Sequence, residues 1–422
     1  MGWDWKSMMA TAACAALSMA GASRALADPV SILFVGDSFT HGRYPPALNY
    51  NAGPGNAPGG ALVHDLLCPS LPCTGAEAQP RILPTPANTP GATTLGKLAF
   101  LQANPSAQYT EVGPFGGVAG IFLQLTREVG LDYDVSLVAV SSATLTGYAN
   151  NSGNEKGDLS LITNPKFTDV VLQEQSFAPL PPTIDVNGTL VPTRGNPAGF
   201  KSSVTALIAD IDAADRAAGR PLARIILAQT QALASYGYTS NNPSLPLFGI
   251  STPVQKGGNP AYAPYVGDRD PIDAMTSGLH AAYDTVASSY NAAYPANSHV
   301  AVSPDGDAWA TAIRDRFAQR DPFLPDQAAP VDLWDGDPLL ACCETPIGYH
   351  PSKYGAYLDA LTLLGRITGK SPLLAVAEYD PRNRNYAGSA SHALGISPTT
   401  ALALAAAAAE TLVADSFGPP TH

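Results

Sequence analysis

Charge is what this chain has least of. Only 14% of its 422 residues are Asp, Glu, Lys or Arg, and 23 Lys and Arg face 35 Asp and Glu, for a formal net charge of −12. So acidic a chain offers no basic face to phosphate backbones or anionic lipid, which argues against nucleic acid and membrane surfaces as partners. Cysteine is scarce too, at five residues. Nucleotide-binding glycine loops, EF-hands, metalloprotease motifs and internal repeats are all missing. What is present is apolar material, 45% of residues, with 39 Pro and 38 Gly. That balance predicts one large core carrying long surface loops.

The first 27 residues read as a signal for export. Lys6 closes a short n-region, residues 8–22 form an apolar stretch interrupted by Gly and Ser, and Ala25-Leu26-Ala27 fits an A-x-A cleavage site. The apolar stretch is too short to span a bilayer comfortably. Residues 28–422 are then expected as one domain, secreted or periplasmic, with no stable membrane insertion. Cys14 would leave with the signal, and an oxidising compartment would let the remaining four pair. Cys68 and Cys73 bracket a Pro-Ser-Leu-Pro turn and Cys342 adjoins Cys343. A Cys68–Cys73 loop with a Cys342–Cys343 pair is the preferred connectivity, and two cross-links between the segments are the alternative. No histidine stands at zinc-ligand spacing beside either pair, so no metal is expected.

Five apolar, β-branched runs cover residues 31–35, 134–140, 169–173, 224–228 and 299–303. Helical patterns occupy 117–129, 200–218, 271–293, 307–317 and 352–367, and an Ala-rich helix at 398–413 closes the chain. The alternation predicts an α/β fold with a five-stranded, mostly parallel sheet and helices on both faces. Residues 45–108, 179–199 and 236–270 are rich in Pro and Gly and read as loops. They leave from the carboxyl ends of strands, where they would shape a cleft.

Two blocks carry chemistry. The first run ends at Gly36-Asp37-Ser38, which places Ser38 just past a strand, where open α/β sheets bind ligands. Tyr349-His350-Pro351-Ser352-Lys353-Tyr354-Gly355 lies near the other end; Ser352 can cap the helix that follows and Gly355 permits close packing. A serine hydroxyl needs a base within hydrogen-bond reach, and His350 can supply it. Asp37 is expected to accept backbone N–H bonds in the turn. Asp305-Gly306-Asp307 reads as a turn and helix cap.

Together these blocks resemble the GDSL/SGNH hydrolases, over roughly residues 32–369. The resemblance implies a flavodoxin-like three-layer sandwich, a serine esterase with Ser38 as nucleophile and His350 as base, and no cofactor. That family places an aspartate three residues before its histidine; here the position is Ile347. Glu344 is the preferred substitute, with Asp335, Asp337 or a backbone carbonyl as alternatives. For the oxyanion, the resemblance implies the Ser38 N–H, a second N–H at Ser142 (where the family has glycine) and a side-chain amide at Gln173, with Gln175 as second choice. Gly116 and Gly117 are alternative donors that read better as a helix start. His41 could line the substrate pocket. The Gln173-Glu174-Gln175-Ser176 block is similar to the sialate O-acetylesterase-like branch, which implies acetylated carbohydrate as substrate. A lipid or other carboxylester is the rival substrate, and a non-catalytic carbohydrate-binding protein on a degenerate scaffold is the rival function. Oligomeric state is left open.

Overall fold

The computed structural model describes residues 30–43, 46–53, 62–69, 73, 113–155, 157–175, 178–181, 183–184, 190–191, 195–234, 271–297, 299–320, 328–334, 350–377 and 388–415. Its strands are β1 (Val30–Gly36), β2 (His64–Asp65), β3 (Tyr133–Ala139), β4 (Asp169–Gln173), β5 (Thr183–Ile184), β6 (Leu190–Val191), β7 (Arg224–Ala228) and β8 (Val300–Ser303). Helices are α1 (Ser38–His41), α2 (Gly117–Glu128), α3 (Leu145–Ala149), α4 (Leu159–Ile162), α5 (Pro197–Ala217), α6 (Pro271–Ala293), α7 (Asp305–Arg314), α8 (Lys353–Thr368), α9 (Leu374–Ala377), α10 (Ala390–Ala393) and α11 (Pro398–Ala414).

The main sheet runs β2-β3-β1-β4-β7-β8, with every neighbouring pair parallel. Runs such as Ile32-Leu33-Phe34-Val35 and Ile225-Ile226-Leu227 are fully buried, as strands covered on both faces must be. Helices α2, α8 and α11 pack as one layer, while α3, α5 and α6 build up the opposite side. The five long strands follow the flavodoxin-like order, so the fold is the expected three-layer α/β sandwich.

Among the described residues the main sheet has six strands rather than five. The extra edge strand, β2, is a His-Asp dipeptide inside the stretch expected to be loop. Two polar residues carry no apolar period, so nothing local announces it. It is held by register with Ser136 and Leu137, and by the Asp65 carboxylate, which accepts N–H bonds from Leu67 and Phe115. A second departure lies in residues 179–199, where β5 and β6 form a short antiparallel pair and α5 begins at Pro197. Helix α7 likewise starts at Asp305 rather than 307. The stretch 236–270 and the first 27 residues lie outside the described residues. The Cys68–Cys73 disulfide is present; Cys342 and Cys343 lie outside the described residues.

The segment after the candidate nucleophile is seated on α2 by backbone contact. Gly116 and Gly117 donate N–H bonds to Leu48 and Ala47 carbonyls, and Asn51 Nδ2 donates to the Gly120 carbonyl at 3.0 Å. A methyl group at Gly120 would come within 2.0 Å of the Tyr50 carbonyl oxygen. Gly120→Ala is therefore expected to destabilise the protein by about 1–3 kcal/mol in urea unfolding, although alanine is the better helix former. An unchanged or raised midpoint would contradict this packing.

Candidate active site

Strand β1 delivers its last residue, Gly36, to the sheet's carboxyl edge, where the chain turns at once into α1. Asp37 caps that turn, its Oδ1 accepting the Phe39 N–H at 2.9 Å. Ser38 follows as the first helical residue. The turn is braced from β4: Gln173 Oε1 accepts the Asp37 N–H at 3.0 Å and the Thr40 hydroxyl at 2.7 Å. Because a backbone N–H can only donate, this network fixes which end of the amide is oxygen. A Cβ at position 36 would stand 2.1 Å from Thr40 Oγ1 and 2.5 Å from Gln173 Oε1, so glycine there is what admits the brace. On the other side the Gly36 carbonyl accepts the Tyr148 hydroxyl at 2.9 Å.

His350 arrives from the far end of the chain. Its Nε2 lies 2.8 Å from Ser38 Oγ across 312 positions of sequence. Pro351 bridges to Trp334, and Ser352 donates its N–H to the Leu333 carbonyl and its hydroxyl to the Asp332 carbonyl. Ser352 Oγ then accepts N–H bonds from Tyr354 and Gly355, capping α8. Gly355 packs so closely that a Cβ would meet Trp309 and the Leu333 carbonyl, the approach expected of it. The imidazole also stacks on Phe39, centroids 5.2 Å apart. Glu344, Asp335 and Asp337, the candidates for orienting this histidine, lie outside the described residues.

Burial sets the charge state of His350. Both His350 and Ser38 are buried, and desolvation pushes the imidazole well below the usual histidine range, with the positive charge of Arg43 and His41 adding to the effect. A histidine held neutral can accept the serine proton.

The backbone N–H groups of Ser38 and Ser142 have no partner among the described residues. Ser142 sits in the turn after β3 at φ +64°, the left-handed region that favours glycine. A serine stands there in a backbone shape more usual for glycine. The Gly116 and Gly117 N–H groups, by contrast, are spent on Leu48 and Ala47, and Gly117 begins α2. Gln173 donates one amide N–H to the Glu174 carbonyl while its oxygen holds the turn that carries Ser38. Gln175 is half-buried and its backbone N–H goes to Glu174 Oε1 at 2.7 Å.

His41 does not meet the expectation of a pocket residue. It has no exposed surface, stacks on Phe115 at 4.4 Å, and bonds through Nδ1 to the Gly42 carbonyl and through Nε2 to Ser141 Oγ. It joins the α1 turn to the β3 turn. Sequence reasoning gave Glu174 and Thr40 no role; Thr40 belongs to the brace, and Glu174 Oε1 accepts the Gln175 and Leu145 N–H groups. Glu174 is a lone carboxyl following a strand-end glutamine, and only the pairing of β4 with β1 reveals what it faces. Among the described residues, no group of three or more His, Cys, Asp or Glu side chains is placed to hold a metal ion.

No protein-family model and no curated protein matches the chain. Three solved structures are similar to it. A DUF4886 family protein from Bacteroides uniformis shares 12% identity over 93% of this chain and 98% of its own, with a TM-score of 0.44. A protein described as "a putative SGNH hydrolase" from Slackia heliotrinireducens shares 16% over 80% and 98%, at 0.33. TesA shares 14% over 65% and 77%, at 0.24.

The turn at residue 142 makes a prediction of its own. A left-handed non-glycine residue costs roughly 1–2 kcal/mol, partly offset by glycine's greater chain entropy. Ser142→Gly is expected to keep the protein at least as stable in urea, while the β-branched Ser142→Val loses more than about 1 kcal/mol. Equal stability of Gly and Val variants would contradict the observed backbone.

Proposed function

We propose that this protein is an exported serine ester hydrolase that works through an acyl-enzyme on acetylated carbohydrate. The observation that carries the reading is Ser38 Oγ within 2.8 Å of a buried, neutral His350 Nε2, at a strand end where two backbone N–H groups stand unpartnered. His350 removes the hydroxyl proton as Ser38 Oγ attacks the ester carbonyl. The oxygen of the tetrahedral adduct accepts hydrogen bonds from the Ser38 and Ser142 N–H groups and from the second amide N–H of Gln173. His350 then passes its proton to the departing alcohol oxygen, leaving an acyl group on Ser38. Water, deprotonated by the same imidazole, attacks the acyl carbonyl; the bond to Ser38 Oγ breaks, the carboxylic acid leaves, and the imidazolium returns its proton to Ser38 Oγ.

The carbohydrate acetate rests on the likeness of the block 173–176 to the sialate O-acetylesterase-like branch. Export is supported by the signal-like first 27 residues and by the Cys68–Cys73 disulfide, which suits an oxidising compartment. A small-molecule or polysaccharide ester is the partner this site would meet.

Hydrolysis of p-nitrophenyl acetate by the wild-type chain is expected to fall by roughly a thousandfold or more in Ser38→Ala, with folding unchanged. Release of acetate from acetylated xylan or an acetylated sialic acid, lost in the same variant, would support the carbohydrate substrate. Equal rates in both proteins would overturn the nucleophile. Because His350 stays neutral, the acid limb of kcat/KM is expected at a midpoint below the ordinary histidine value of about 6.5. A limb above that value would contradict the burial of the base.

A further inference from the structure

Glu174 stands next to the amide brace, is 1% exposed, and has no assigned task in the reaction described above. Its Oε1 accepts two backbone N–H groups from different turns, Gln175 after β4 at 2.7 Å and Leu145 at the start of α3 at 3.2 Å. Leu145 lies three residues beyond Ser142, and Glu155 Oε1 takes the preceding N–H, that of Thr144, at 2.8 Å. The two glutamates thus anchor the chain leaving the oxyanion turn, one from inside the core and one from its rim. Glu174 Oε2 is buried without a hydrogen-bond partner. The titratable groups that face it are Asp37 from the nucleophile turn, Glu155 beside α3 and the buried phenol Tyr283 from α6. None of these is a cation.

We propose that Glu174 is a positioning residue that must remain an uncharged carboxylic acid during turnover, tying the chain after Ser142 to the end of β4 without placing a negative charge in the core beside the site. This rests on the esterase reading. A carboxylate buried there would repel the charge that grows on the substrate oxygen, because burial weakens screening around Glu174. Desolvation is the main reason it stays protonated, pushing it up to about 8, and the acids Asp37 and Glu155 add to the shift. The two N–H bonds act the other way and do not outweigh burial.

The consequence for stability has a definite sign. The folded carboxyl binds its proton more tightly than the unfolded one, so its contribution is complete below the unfolded value of about 4.3 and is lost as pH rises toward about 8.

The test compares wild type, Glu174→Gln and Glu174→Ala. Glutamine keeps an oxygen for the two N–H groups and cannot ionise; alanine removes the tie. Wild-type kcat/KM for 4-methylumbelliferyl acetate is expected to fall about tenfold per pH unit above about pH 8. Glu174→Gln is expected to match wild type at pH 7 and stay flat through that range, while Glu174→Ala loses roughly tenfold or more at every pH. Labelling of Ser38 by a fluorophosphonate gives the same comparison without an ester substrate. An alkaline limb that persists in Glu174→Gln, or a glutamine variant as poor as alanine, would overturn the proposal. Thermal unfolding separates this from failure of the esterase reading. If Ser38 is inert in wild type but melting temperature falls between pH 5 and pH 8 and Glu174→Gln abolishes that fall, the neutral acid stands as a structural fact and its part in turnover is overturned. If Glu174→Gln melts with wild-type pH dependence, the neutral acid itself is overturned.

Discussion

One amide oxygen organises this site. Gln173 Oε1 accepts the Asp37 N–H and the Thr40 hydroxyl through a gap that exists only because residue 36 has no side chain. A turn straight from a parallel strand into a helix leaves backbone donors unpaired at its bend. Here two strands that neighbour each other in the sheet solve the problem together, β1 supplying the turn and β4 the acceptor. Ser38 can stand at the strand end with its own N–H unspent because the adjacent donors are satisfied by Gln173 and Asp37. The rest of the arrangement, from the stacked Phe39 to the incoming histidine, is built against this braced turn.

His350 is fixed by different means. No secondary structure connects residue 350 to residue 38, so its position depends on the short bridge between Pro351 and Trp334 and on the capping of α8 by Ser352. The cap orients the helix, and the close seat of Gly355 against Trp309 and the Leu333 carbonyl sets its distance. Burial then removes the positive state of the imidazole. Three acidic or amide groups in the same region are thereby assigned different work by surroundings alone: Asp37 caps, Gln173 braces, and Glu174 anchors from a dry interior.

Much of this was legible in the sequence, for a physical reason. Buried parallel strands must be nearly all apolar, so β1, β4 and β7 stand out within a residue or two of their ends, and Ser38 follows from where β1 stops. Ser352 and Gly355 are local signals with local consequences, so the helix after His350 could be placed too. What escaped depends on pairing across the sheet. β2 is two polar residues held by Ser136 and Leu137, and no periodicity can announce a strand that short. The brace formed by Gln173 and Thr40 links residues 133 positions apart, and the glutamine's oxygen matters as much as the N–H that sequence reasoning assigned to it. His41 shows the same limit: next to the nucleophile in sequence, it turns inward onto Phe115 and Ser141.

The central claim is a covalent one, that an acyl group passes through Ser38. Rapid acid quenching of the wild-type protein with p-nitrophenyl acetate, followed by peptide mass spectrometry, tests it most directly. The account predicts an acetyl group on Ser38 that builds up within the first turnover and disappears as substrate is exhausted. Acetyl transfer to a different residue at a rate matching turnover, or steady hydrolysis with Ser38 never modified, would contradict it.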